Sequence, residues 1–226
     1  APRLKYLSLS VAVMTAFFGL IMPDAAKAEL QLDLKRGVVE PVPIAIPDFY
    51  SQSGEFEALA QKIPEVVRNN LRNSGLFQVL NNKTFIQARK SLVNEGPRFQ
   101  EWRAINAEAL VSGKLMAQEG GRARVEFRLF DVISQKQLSG IAYTTTRDNW
   151  RRVAHLISDD IYKRITGEKG YFDSRIVYIA ESGPPKNRKK RLAIMDQDGS
   201  NLSYLTDGDN LVLTPRFSPN SHKITY

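Results

Sequence analysis

The chain has 226 residues, no cysteine, 42% hydrophobic and 25% charged residues, and a formal net charge of +8. This composition excludes disorder along the whole chain and a multi-span membrane protein, and the lack of cysteine excludes a disulfide framework, a thiolate nucleophile and a thiolate zinc site. Two histidines, His155 and His222, are too few for a His-rich metal centre, and five of the basic residues sit in one run, Lys186–Arg191, so the charge describes a loop more than a basic face.

Arg3 and Lys5 precede an apolar stretch from Leu7 to Met22 that is shorter than the roughly 20 residues a bilayer requires. Pro23 ends it, and the small residues Ala26 and Ala28 predict signal-peptide cleavage between Ala28 and Glu29. The expectation is a signal peptide over 1–28 and an exported mature chain with no transmembrane segment. Export without disulfides points to a bacterial periplasm. Ala1 at the start and the open alternation at Tyr226 suggest a piece of a longer reading frame.

Residues 29–35 alternate: Leu30, Leu32 and Leu34 face one way, Gln31, Asp33 and Lys35 the other, with Glu29 leading. That is the pattern of a half-buried strand, paired at home or offered to a partner's sheet edge. Val42–Pro47 reads as a strand that Pro43 should confine to an edge or a late start. Leu59, Ile63, Val66, Val67 and Leu71 give a helix that either begins near Pro64 or bends there, and Gly75 ends it.

A short strand over 77–80, short helices over 84–92 and 99–107, and strands over 109–117, 122–133 and 138–146 follow, with Gly120-Gly121 as a hairpin turn. Trp150, Val153, Ala154, Ile157, Ile161 and Ile165 mark the clearest helix, closed by Gly167. Trp102 and Trp150 are expected in the core. His155 lies off the stripe and is expected to be exposed, paired with Asp159 four residues on. Together these give a two-layer α+β domain, a mixed sheet with helices, over 41–169, preceded by a partner-binding segment over 29–40.

Beyond Gly170 the helical periods stop. Short strands near 175–180, 190–195, 202–205, 212–217 and 222–226 are separated by Gly, Pro, Asp and Asn, which predicts an all-β unit over 170–226. That length holds about one blade of a propeller, with open edges that leave it less firmly folded than the first domain. Asp196–Asn201 lacks the third acidic position and the closing Glu of a calcium loop, so a hairpin turn at Asp198-Gly199 is the better reading. Lys186–Arg191 reads as a solvated loop without the interleaved aromatics of a nucleic-acid platform. Neither a nucleophile elbow nor a phosphate loop is present, so no catalytic, cofactor or metal residue is assigned.

Three stretches go beyond periodicity: Gly37–Phe49, Asn70–Phe77, and Ile165–Phe172 running on into Arg175–Ile179. In this order, behind an export signal, they resemble the TolB family of the periplasmic Tol-Pal system. Leu213–Ser221 is similar to that family's propeller repeat, departing from it at Ser221, where glycine is usual. The resemblance implies an α/β domain followed by a six-bladed propeller, incomplete here. It also implies a non-catalytic scaffold that joins the inner-membrane protein TolA to the lipoprotein Pal, in support of outer-membrane integrity and invagination at division. It places the TolA-binding segment at Glu29–Lys35 and the Pal surface on the propeller, nearly all of it beyond Tyr226. The rival reading is the front part of a propeller-bearing α/β-hydrolase peptidase.

Overall fold

The structure is a computed structural model that describes residues 40–219 and 223–226. Ala28, Glu29, Leu30, Gln31, Leu32, Asp33, Leu34 and Lys35 lie outside the described residues, as do Ser221 and His222.

A mixed sheet organises the first unit. Its strands are β1 (Val42–Ala45), β2 (Tyr50–Ser51), β3 (Phe77–Val79), β4 (Ala109–Gln118), β5 (Arg122–Asp131) and β6 (Lys136–Thr145). The order is β3-β1-β4-β5-β6, with β2 continuing β1's side along β4. Pairings among β1, β2, β3 and β4 are parallel, and β4-β5-β6 is an antiparallel meander. Gly120 and Gly121, both at positive φ, make the expected β4–β5 turn.

Contrary to the edge position its proline suggests, β1 lies inside the sheet. Alternate residues of a strand bond to opposite neighbours. Val42 N–H donates to Leu76 O and Ile44 O accepts from Leu80 N–H, both toward β3. Pro43 faces the other way, its carbonyl accepting from Glu108 N–H just before β4 begins. Its missing N–H therefore points at Asn106, which turns with φ 59° and belongs to no strand.

Two long helices, α1 (Glu57–Asn73) and α4 (Trp150–Thr166), cover one face. Ala123, Val125, Phe127 and Leu129 alternate toward them, as the β5 pattern predicts. α1 begins at Glu57 and runs through Pro64. The carbonyl that Pro64 cannot reach, that of Ala60, accepts instead from Phe49 N–H at 2.8 Å.

The opposite face carries a smaller cluster. Two short helices, α2 (Arg89–Asn94) and α3 (Phe99–Ala104), bring Leu92 and Trp102 against Ala45, Leu110, Phe130 and Val132. Both are shorter than the sequence suggests. Asn81 accepts from Lys83 N–H and holds Asn82–Thr84 in a 3-10 turn. Buried Gln87 then accepts from Arg98 N–H and Trp102 Nε1 and donates to Gly96 O, tying the intervening loop together. Trp102 is fully buried, whereas Trp150 is only partly buried.

The second unit has a three-stranded antiparallel sheet of β7 (Arg175–Ser182), β8 (Lys189–Asp196) and β9 (Ser203–Tyr204), and a two-stranded pair, β10 (Arg216–Phe217) and β11 (Ile224–Thr225). The basic run is only partly a loop, since Lys189 to Arg191 lie in β8. Arg188 and Lys190 pair with Glu181 across the hairpin, and Arg191 lies 3.8 Å over the Tyr204 ring. Among the described residues no helix is long and apolar enough to cross a membrane.

Candidate functional site

The segment expected to meet a partner, Glu29–Lys35, lies outside the described residues, so the site that can be built is the junction between the two units. It is assembled from α1, α4, the chain that leaves α4, and the β8–β9 turn.

Gly167 ends α4 in the left-handed conformation and sends the chain back along the helix. Asp159, about two turns earlier, accepts from Phe172 N–H at 2.7 Å and Asp173 N–H at 3.1 Å. A side chain at Gly170 would run into Asp159, so glycine is required where the returning chain crosses the helix. Phe172 is buried in the main core, edge-on to Tyr162, and Tyr171 meets the same ring. Burial pushes the Asp159 carboxyl up, against the pull of the two amides.

The β8–β9 turn docks beside this. Asp196 N–H donates to Ser200 O and Gly199 takes positive φ, the hairpin turn expected from the sequence. Arg151 of α4 places Nη2 and Nε 2.7 and 3.0 Å from Asp198 Oδ2. Burial raises the Asp198 carboxyl, but Arg151 and Ser200 N–H outweigh it and hold it below the ordinary value.

Beneath the turn is a buried polar chain. Asn70 of α1, 2% exposed, donates to Ser158 Oγ and bonds His155 Nδ1, both at 2.9 Å, and accepts from Gln197 Nε2 at 3.1 Å. Ser158 Oγ donates in turn to Ala154 O. His155 is 2% exposed, which overturns the expectation of an exposed pair with Asp159. The helical stripe shows only what α1 and the sheet cover; His155 is covered by a turn some forty residues later. Its Nε2 faces Asp198 Oδ2 at 3.7 Å and Asp196 Oδ2 at 3.9 Å. Burial holds the imidazole below its ordinary pKa, against the two carboxylates.

Two parts of the junction fall in stretches singled out in the sequence. Asn70 opens one of them, and Ile165–Phe172 is the chain that returns along α4. What sequence reasoning missed is that Asn70, His155 and Gln197 meet; no spacing rule joins positions so far apart.

Known proteins give this arrangement its family. The model of the TolB amino-terminal domain matches residues 30–138, and that of the TolB beta propeller domain matches 162–226. A curated relative, the Tol-Pal system protein TolB of Paramagnetospirillum magneticum, is 51% identical over 219 residues, 97% of this chain and 49% of that protein. The chain belongs to the TolB family. The crystal structure of TolB from Acinetobacter baumannii is similar in fold, with a TM-score of 0.68 at 24% identity over 87% of this chain and 46% of that one. The chain thus spans about half the length of the TolB proteins it matches. The sheet-and-helix unit followed by propeller strands agrees with the fold expected from the sequence, and these matches do not favour the hydrolase reading.

Proposed function

We propose that this chain is part of a periplasmic Tol-Pal scaffold that works by binding and not by catalysis. The observation that carries the reading is the succession of the two TolB domain models along one chain, joined by a relative at 51% identity over nearly its whole length. A TolA-like inner-membrane protein is engaged by the mature N-terminus, Glu29–Lys35. The Pal lipoprotein is engaged by the propeller, of which little is present here. Through these contacts the protein supports outer-membrane integrity and invagination at division. Nucleic acid is not a partner.

The N-terminal segment acts by strand addition. Its backbone extends the partner's sheet, Leu30, Leu32 and Leu34 fill alternate pockets, and Asp33 and Lys35 stay in water. A segment docked on its own domain is unavailable to a partner, so its release raises apparent affinity by mass action. Removing residues 29–35 from the mature chain should abolish binding to the TolA periplasmic domain while circular dichroism and melting stay unchanged. Undiminished binding would sink the assignment.

A further inference from the structure

The cluster below the β8–β9 turn has a feature the scaffold reading does not use. His155 is 2% exposed, and its Nε2 has no hydrogen-bond partner among the described residues. A buried donor or acceptor left unmatched is costly, so the surroundings ask for something that Nε2 can bind. One oxygen each of Asp196 and Asp198 converges on it, and the three donor atoms lie within 4.8 Å of one another. Beside them is a cavity of about 390 Å³, lined by Arg152, Asp173, Arg175, Asp196 and Ser203 as well as His155.

We propose that His155, Asp196 and Asp198 form a divalent transition-metal site at the junction, with the remaining coordination positions filled by water from the cavity. An imidazole and two carboxylates suit Zn²⁺, Co²⁺ or Mn²⁺, with metal–ligand distances of about 2.0–2.2 Å. Bringing each carboxylate oxygen from its present 3.7–3.9 Å to the spacing from Nε2 that a shared tetrahedral ion sets takes a shift of about half an ångström. Calcium and magnesium prefer all-oxygen shells and fit an imidazole poorly.

Outer contacts of the kind that orient metal ligands are already present. Asp198 is held by Arg151 and Ser200 N–H, and Asp196 by Asn201 Nδ2 at 2.6 Å. Asp198 Oδ2 now accepts from both Arg151 Nη2 and Nε, so Arg151 keeps one of these bonds and releases the other when that oxygen coordinates. Among the described residues no lysine or arginine pairs with Asp196, and a metal supplies a cation. Coordination through Nε2 puts the ring proton on Nδ1, against Asn70. The Asn70 and Gln197 amides accommodate this by turning over, since each presents an oxygen and a nitrogen at equivalent positions, and the Ser158 hydroxyl turns from Ala154 O to donate to Asn70 Oδ1.

The test uses the purified mature chain stripped of metal, with Zn²⁺ titrated by calorimetry and Co²⁺ followed by its visible absorption. One ion per chain is expected, with a cobalt spectrum showing nitrogen ligation and a rise in melting temperature on adding Zn²⁺. Asp196→Asn and His155→Gln should each weaken binding by roughly a hundredfold, at the upper end of what losing even an outer partner does. Asp196→Asn keeps the side-chain shape and its contact with Asn201, so it carries the test should the histidine variant misfold. No saturable binding, equal binding by wild type and Asp196→Asn, or displacement of Zn²⁺ by equimolar Ca²⁺ would each overturn the site. None of these readouts involves TolA or Pal, so the site stands or falls apart from the scaffold reading.

Discussion

The amide of Phe49 donates to the carbonyl of Ala60, and that carbonyl is open only because residue 64 is proline. The chain between β1 and β2 is thereby stitched to the middle of α1 by a main-chain bond that an uninterrupted helix could not offer. Pro64→Ala would supply a competing intrahelical donor. An ordinary proline-to-alanine change inside a helix gains about 3 kcal/mol. Here the gain should stay below about 1 kcal/mol, because buried Pro64 leaves a void and Phe49 must share its acceptor. Hydrogen exchange at the Phe49 amide should accelerate, which a plain helix-propensity effect would not produce.

Phe49 makes a second demand. Its ring lies on Gly113 so closely that any side chain there would enter the ring. Gly113→Ala should destabilise by about 1–3 kcal/mol in urea unfolding. Combined with Phe49→Leu, the loss should be less than the sum of the two single changes, because the smaller side chain makes room for the methyl. Strict additivity would show that the methyl clashes elsewhere.

Asn70 anchors the junction. Asn70→Ala should lower stability by about 2–3 kcal/mol, since His155 Nδ1, Ser158 Oγ and Gln197 lose a shared partner and two of these are buried. Gln197→Ala, at the half-buried end, should cost about 1 kcal/mol. A larger effect at Gln197 would place the weight of the network in the turn and not in the helices.

Asp159 gives a pH signature. A carboxyl raised by burial holds its proton more tightly in the folded state than in the unfolded one. Its contribution to stability therefore grows as pH falls through the raised value and levels off below the ordinary carboxylate range. Wild type should gain on Asp159→Asn as pH is lowered from 7 to 4, the shared response of the other carboxylates cancelling in the difference. A constant gap would mean that the two amide bonds fully offset burial.

Proteolysis should divide the second unit. β7 and β8 are tied to α4 through Phe172 and Asp198, whereas Leu211, Leu213 and Phe217 stand exposed beyond them. Brief chymotrypsin treatment should cut within 205–219 first and leave β7, β8 and β9 on the first unit as a resistant core. Equal resistance throughout would contradict this.

Periodicity made much of the architecture legible. The β5 alternation, the α4 stripe and the closing Gly167 are local patterns that burial simply fills in. Pro43 misled, and Pro64 did not start its helix, because the rule for each considers a single strand or helix. Whether a lost N–H matters depends on what lies opposite, and that is set by Asn106 and Phe49, distant in sequence. His155 was hidden for the same reason: a residue beside an apolar stripe looks wet until a later turn covers it. Asn70 stood in a stretch recognisable by family, yet its bonding to three partners from other parts of the chain leaves no trace in spacing.

The return of the chain along α4 has a mechanical consequence. Seventeen helical residues form a rod about 25 Å long. The first blade strand leaves that rod through a segment clamped at Gly170, Phe172 and Asp173. A tether of this kind carries torque where a floppy linker would absorb it. Turning the blade relative to the sheet means rotating α4 itself, and with it every side chain that α4 presses against α1.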